Sequence, residues 1–316
     1  MTKKALIGTF FLFLLVAGCT GINSRNGEDI SKTSAPSEIQ TANTDRTNEL
    51  RDRIEQISRA AQGRVGVSAT VLETGESVSL NGSQRFPMRS VYKLPIAMAV
   101  LAQVDRRNLK LDQKIQIEAS DIVQGSQVLD ENSQGMEYSL AELLKYMVSD
   151  SDNTACDVLL KLLGEPKIVT EYLQGLGINN IDVANTEKEL GQDSSLQYRN
   201  DATPDAAVVL LRALHEGQGL SESSQALLLQ LMTETSTGLK RLKGLLPNGT
   251  VVAHKTGTSV TINGATAATN DVGLVTLSNG QHLAIAVFVS DSQATDVIRE
   301  EVIAKVARAA WDEWSR

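Results

Sequence analysis

The spacing of apolar residues divides this chain of 316 residues into stretches of different kinds. Residues 5–17 are almost wholly apolar, follow Lys3 and Lys4, and end in small residues. The run is too short and too sharply bounded for a comfortable membrane span and fits a secretory signal over 1–18. Residues 20–44 are rich in Ser, Thr, Asn and Gly with almost no apolar content, so 19–44 is expected to be a tether. From Asp45 the pattern becomes periodic. Leu50, Ile54 and Ile57 mark one face of a helix, Val65–Leu72 alternates as a strand, Thr74-Gly-Glu turns, and Ser77–Leu80 pairs back. Leu94–Val104 is a long apolar run, interrupted by Gln103, and reads as a buried helix. Ser139-Leu-Ala-Glu142 is a capping box that opens a helix with Leu140, Leu143, Leu144 and Met147 on one face. A further helix runs from Thr154 to Leu163 and is stopped by Gly164 and Pro166. Residues 179–203 are polar and read as a long irregular loop, a kind that is usually functional or disordered. Helices resume at Pro204–His215 and Ser221–Thr235. Three strands follow, over 251–257, 271–277 and 282–289, with Asn279-Gly280 as the hairpin turn of the last pair, and an amphipathic helix closes the chain over Asp296–Trp314.

Strands at both ends with helices between them predict an α+β fold. Residues 45–81 and 235–316 would build one α/β domain, and 82–234, including the 179–203 loop, an inserted all-α domain. A cleft between two such lobes is a natural ligand site.

The net charge of −8 becomes about −10 once residues 1–18 are removed, because they carry Lys3 and Lys4. No Lys/Arg block or basic aromatic stripe stands out, which argues against nucleic acid and anionic membrane surfaces as partners. His215, His254 and His282 lie far apart in sequence and form no paired-ligand spacing, and there are two cysteines, so no metal site or other cofactor is expected. Each histidine is expected to be structural or solvated. Cys156 sits in an apolar helical run and is expected to be a buried, inert thiol.

Chemistry enters at Phe86–Pro95. Ser90 and Lys93 stand three apart at the start of the long apolar helix, so hydroxyl and amine share one face. An adjacent base is what a weak serine nucleophile requires. Alone, this spacing equally describes a serine at a helix start with an exposed lysine one turn on. Three further motifs answer it: Ser151-Asp152-Asn153 between two apolar helical stretches, Glu187 in the irregular loop, and Lys255-Thr256-Gly257 on a strand. S-x-x-K, S-D-N and K-T-G in this order form the motif set of class A β-lactamases and penicillin-binding proteins.

From about Asp45 to Trp314 the chain resembles class A serine β-lactamases, most closely the PER- and VEB-type branch. Ser149–Asp157, Thr237–Thr258 and Thr266–Asp271 carry the closer similarity. The resemblance implies a five-stranded antiparallel sheet flanked by helices, with the helical domain inserted, and a monomer acting on a small β-lactam with water as second substrate. It implies Ser90 as nucleophile and the N–H groups of Ser90 and Thr258 as the oxyanion hole. Ser151 would relay a proton to the lactam nitrogen, and Asn153 would orient Lys93 and the substrate amide. Lys255 and Thr256 would meet the substrate carboxylate, with Gly257 letting the strand approach closely. Either Lys93 or Glu187, acting through a water, serves as the acylation base. Glu187 is what a hydrolase needs for deacylation; a penicillin-binding peptidase or transpeptidase, or a sensor that stays acylated, would lack a working carboxylate there. Val16-Ala-Gly-Cys19 resembles a bacterial lipobox, which implies lipidation of Cys19 and an exported, envelope-anchored protein.

Three departures from the class A pattern stand out. Gly191 occupies the place of an asparagine that helps hold the deacylating water. Asn185 and Asn200 replace the Arg–Asp pair that pins the loop, which is expected to leave the loop more open to bulky substrates. No arginine follows Lys255 on the next strand; Arg241 takes the alternative position of a carboxylate partner, or is simply a surface arginine beside Lys240 and Lys243.

Overall fold

The computed structural model describes residues 37–315. The segments expected to be a secretory signal and a lipobox, with Cys19, lie outside the described residues. Five antiparallel strands form the main sheet: β1 (Arg64–Val71), β2 (Ser77–Leu80), β3 (Val252–Thr258), β4 (Thr269–Thr276) and β5 (His282–Ser290), in the order β2-β1-β5-β4-β3. The register pairs Val65 with Val289 and Val71 with Leu283 between β1 and β5, and Gly257 with Asn270 between β3 and β4. Two segments distant in sequence thus meet in one sheet.

Side chains alternate across the sheet with the period of two that extended backbone imposes. On β5, Leu283, Ile285, Val287 and Val289 enter one apolar cluster, with α1 (Ser37–Ser58) and the closing helix packed over it. Ala284, Ala286 and Phe288 face the other cluster, which the remaining helices fill. These are α2 (Lys93–Asp105), α3 (Leu140–Val148), α4 (Asn153–Leu163), α5 (Pro166–Gly175), α6 (Glu187–Gln192), α7 (Pro204–His215) and α8 (Glu222–Thr233); the closing helix is α9 (Asp296–Trp314). Helix α2 is buried from Lys93 through Ala102, as an apolar run without a polar face requires. Each Leu or Ile buried there stabilises by about 1.5–3 kcal/mol relative to exposure.

Helix starts follow local chemistry. Ser139 and Glu142 form the capping box of α3, Thr203 caps α7 with Pro204 in its first turn, and Ser221 caps α8. Three expectations need correction. Helix α1 begins at Ser37, inside the segment that composition assigns to the tether. Ser90 lies on a short 3-10 turn (Arg89–Tyr92) that precedes α2, not on the α-helix itself. Residues 179–203 are not irregular throughout: Ile181–Asp182 and Asp201–Ala202 pair as short strands, and Thr186 and Glu189 form a capping box for α6. With Leu190 as the buried apolar residue of α6 beside Glu187, hydrophobic periodicity has almost nothing to register there.

Candidate active site

The Ser90 turn is seated against the end of β3 by a missing side chain and an amide. A Cβ on Gly257 would run into the Met88 carbonyl oxygen, so only glycine lets the strand come this close. Asn270, opposite Gly257 on β4, donates from Nδ2 to the carbonyls of Pro87 (2.7 Å) and Met88 (3.1 Å). Arg89 has a φ of 47°, a left-handed conformation that a non-glycine residue adopts only when its surroundings hold it.

Ser151-Asp152-Asn153 supplies the facing wall, and each of its residues has a different task. Ser151 has a φ of 60° and turns its carbonyl to Lys93. Asp152 is wholly buried; it caps α4 by accepting from Ala155 N–H (2.8 Å) and also accepts from the N–H groups of Val128 (2.7 Å) and Leu129 (3.0 Å). Asn153 opens α4 and accepts from Lys93 Nζ through Oδ1 at 2.6 Å.

Lys93 is buried at the centre. Its Nζ lies 2.7 Å from the Ser151 carbonyl, 2.6 Å from Asn153 Oδ1 and 3.1 Å from Glu187 Oε1, so all three donors of an ammonium have an acceptor. The Ser90 hydroxyl faces the same Glu187 Oε1 at 3.5 Å, the outer limit of a hydrogen bond. Burial works against the Glu187 carboxylate, but Lys93 and then Arg89 outweigh it and hold Glu187 below the usual glutamate pKa. Across the cleft, Lys255 Nζ donates to Ser151 Oγ at 2.9 Å. Burial, followed by the nearby Lys93 charge, brings Lys255 down to about 7. Cys156 packs its thiol 3.5 Å from the Tyr92 hydroxyl, and burial pushes its pKa well up.

Arg241 is buried, not a surface arginine. It donates to the carbonyls of Gly257 (3.3 Å) and Asn270 (3.0 Å) and to Thr258 Oγ1 (2.8 Å), and is paired with Glu300 at 3.2 Å. Thr256 Oγ1 meets Thr237 Oγ1 at 2.6 Å. The motifs, far apart in sequence, thus converge on one cleft, with Ser90, Lys93, Ser151, Asn153, Glu187 and Lys255 linked by hydrogen bonds or ion pairs, and Thr256, Gly257, Thr258 and Arg241 at its β3 edge.

A model of the "Beta-lactamase enzyme family" matches residues 49–314. The chain belongs to this family. Beta-lactamase VEB-1 of Pseudomonas aeruginosa is 40% identical over 270 residues, 84% of this chain and 90% of that protein. Extended-spectrum beta-lactamase PER-1 of the same organism is 42% identical over 265 residues, 83% and 86% of the two chains. The crystal structure of a beta-lactamase from Chitinophaga pinensis superimposes with a TM-score of 0.82 at 44% identity, covering 84% of this chain and 99% of that one.

In this beta-lactamase the loop bearing Glu187 is held by Asp157, which sequence reasoning did not single out, and by Asn200, one of the two asparagines in place of the pinning pair. Asp157, one turn beyond Asn153 on α4, accepts from the N–H groups of Glu187 (2.8 Å) and Lys188 (2.9 Å) at the start of α6. Burial raises its carboxyl to about 6; the two N–H donors oppose that rise and the Glu187 charge adds to it. The i, i+4 spacing of Asn153 and Asp157 was the available signal. The fully buried Asn200 accepts from the N–H groups of Ala184 (2.8 Å) and Asn185 (2.9 Å) and donates to the Asn185 carbonyl (2.9 Å). One amide side chain closes the neck of the loop. At the far edge, Ser259 Oγ donates to Gln197 Oε1 at 3.2 Å, so the loop touches the segment after β3 rather than standing clear of it. Gly191, four residues beyond Glu187 on α6, has open space where a side chain would project.

Proposed function

We propose that this chain is an exported serine β-lactamase that opens β-lactam rings, oxyimino-cephalosporins among them, through an acyl-enzyme on Ser90. The observation that carries the reading is the shared Glu187 Oε1, in reach of both the Ser90 hydroxyl and the Lys93 ammonium in a buried site. With three acceptors around Lys93 Nζ, Glu187 is the group with a lone pair facing Ser90, which favours Glu187, directly or through a water, as acylation base. Lys93 then holds and orients the carboxylate.

The steps combine this geometry with the roles that the family resemblance implies. Glu187 takes the Ser90 proton as Oγ attacks the lactam carbonyl. The N–H groups of Ser90 and Thr258 receive the oxyanion, a contribution typically of about 3 kcal/mol per donor. The C–N bond breaks as Ser151 Oγ gives its proton to the lactam nitrogen, and Lys255, bonded to that hydroxyl and near neutrality in pKa, resupplies it. Asn153 receives the substrate amide. Lys255, Thr256 and Thr258 meet the substrate carboxylate, with Arg241 behind Thr258 adding positive charge. Before deacylation Glu187 releases to solvent the proton it took from Ser90 and Lys255 regains one; the freed carboxylate then takes a proton from water, the hydroxide attacks the ester, and Ser90 leaves with the proton returned. The protein acts as a monomer. Anchoring by lipid at Cys19 belongs to the same reading; among the described residues no helix is long and apolar enough to cross a membrane.

Mixing the protein with nitrocefin and with a fluorescent penicillin tests the reading. Repeated nitrocefin turnover without a lasting adduct is expected. Glu187→Ala should abolish turnover, and the acyl-enzyme that still forms on Ser90, slowly and without its base, should persist as a stable fluorescent adduct. A stoichiometric burst from the unaltered protein would make it a peptidase or a sensor, and full turnover by the variant would remove Glu187 from the mechanism.

A further inference from the structure

Far from the cleft, the fold brings together two histidines that are remote in sequence. His215 is the last residue of α7 and His282 the first of β5; their rings lie 4.5 Å apart between centroids. Glu73, in the turn between β1 and β2, completes the group. Its carboxylate accepts from the His282 main-chain N–H at 2.9 Å and lies 2.7 Å from His282 Nδ1. One donor atom from each of the three residues lies within 4.8 Å of the other two. The nearby Arg212 is engaged elsewhere, with the Leu72 carbonyl at 3.5 Å and Glu216 at 3.7 Å.

We propose that Glu73, His215 and His282 form a surface site for a divalent transition-metal ion of the zinc or copper class. Two imidazoles and one carboxylate are a ligand set such ions favour, whereas Mg²⁺ and Ca²⁺ prefer oxygen alone. Bond lengths of about 2.0–2.2 Å place tetrahedral ligands about 3.4 Å apart. The two histidines are partly exposed and the glutamate is exposed, so their side chains have room to rotate, which is how the remaining gap would close on an ion. Glu73 is already fixed by the His282 N–H, so part of the site is oriented before any ion arrives. The three ligands come from a turn, a helix end and a strand start, so the ion ties α7 to the edge of the sheet. The position is independent of the catalytic cleft. His282 pairs with Thr276, six residues along β4 from the Asn270 that faces Gly257, or about 20 Å along the strand. The histidine spacing alone pointed away from any metal site; the antiparallel return of β5 beside the end of β1 is what overrides it.

Titration calorimetry with Zn²⁺ on a protein free of any polyhistidine tag should give one saturable site, with tighter binding of Cu²⁺ and none of Mg²⁺. Bound Cu²⁺ should show nitrogen couplings from two imidazoles in its paramagnetic resonance spectrum. His215→Ala and His282→Ala should each weaken Zn²⁺ binding by about tenfold or more, and Glu73→Gln by less, while all three keep the nitrocefin turnover of the unaltered protein. That turnover shows the variants to be folded. Absence of saturable binding of both ions, or binding unaltered in the His215→Ala/His282→Ala double variant, would overturn the assignment.

Discussion

The two sides of the catalytic cleft are held by different physics. The Ser90 turn is fixed by close approach of backbone: Gly257 admits the Met88 carbonyl, and Asn270 grips the two carbonyls before the nucleophile. Helix α6, with Glu187, is fixed by polar side chains reaching under it, the Asn200 amide at its neck and the Asp157 carboxylate at its first turn. Steric seating has no adjustable strength. A buried carboxylate near its own pKa does, because proton binding changes what the loop rests on. The half that carries the nucleophile is therefore built for fixed geometry, and the half that carries the base is open to tuning by pH and substitution.

The sharpest way to break this contrast is Gly257→Ala. The added methyl must push the Ser90 turn off its seat, and a displacement of about 1 Å at a reacting group costs on the order of 100-fold. Single-turnover acylation should fall by that order while the deacylation rate of preformed acyl-enzyme changes far less; equal losses in both steps would show the two sides to be one unit.

Asp157→Asn probes the polar side. The Asp157 carboxyl is raised from 3.8 to about 6 in the folded protein, so the folded state binds this proton more tightly than the unfolded. The stabilisation this gives is fully present below the unfolded value and is lost as pH rises through about 6. The asparagine variant lacks that dependence. Its stability relative to the unaltered protein should improve by about 2 kcal/mol between pH 4.5 and 7.5, read from urea unfolding at the two pH values. An unchanged difference would mean that Asp157 does not titrate in this window.

Arg241→Ala tests whether the fixed wall also reads the substrate. Loss of the guanidinium behind Thr258 should raise KM about tenfold for carboxylate-bearing β-lactams with kcat little altered, as for a group that binds ground state and transition state alike. A fall in kcat alone would place Arg241 in the support of the β3 edge instead. The smallest effect is expected at Gly191→Asn. A side chain there meets open space, and replacing a helical glycine stabilises by less than about 1 kcal/mol. Its amide projects from the same face of α6 as Glu187, so deacylation should quicken for at least some substrates; unchanged deacylation across a substrate panel would end the idea that Gly191 limits the water's partners.

Legibility in the sequence followed the same division. Strands with alternating valines and helices with apolar faces were readable within a few residues, because period and capping are local: Ser139 and Glu142 announce α3 without help from the rest of the chain. The motifs of the cleft were readable because S-x-x-K, S-D-N and K-T-G keep short, fixed spacings. What escaped was whatever depends on a meeting of distant polar residues. Asn185 and Asn200 read only as the loss of a pinning pair until Ala184 and Asn185 are seen to donate to the Asn200 amide, and Asp157 reads like the polar face of α4 until α6 lands on it. Helix α6 was hidden despite its capping box, since six residues with so little apolar content carry no periodic signal. His215 and His282 were judged by their separation along the chain, which says nothing about a helix end delivered to a strand start.

One contact on the opposite face of the sheet bears on how the chain could be rearranged. Arg46, near the middle of α1, bonds to Glu313, near the end of α9, at 2.8 Å. With the residues before Arg46 trimmed, a short linker from the end of α9 would close the remaining polypeptide into a ring, and new ends could be opened at a surface turn such as Asn279-Gly280. Because the first and last helices cover the face of the sheet remote from Ser90, such a circular permutant should keep its cleft, and the order in which the chain is synthesised becomes separable from the site it builds.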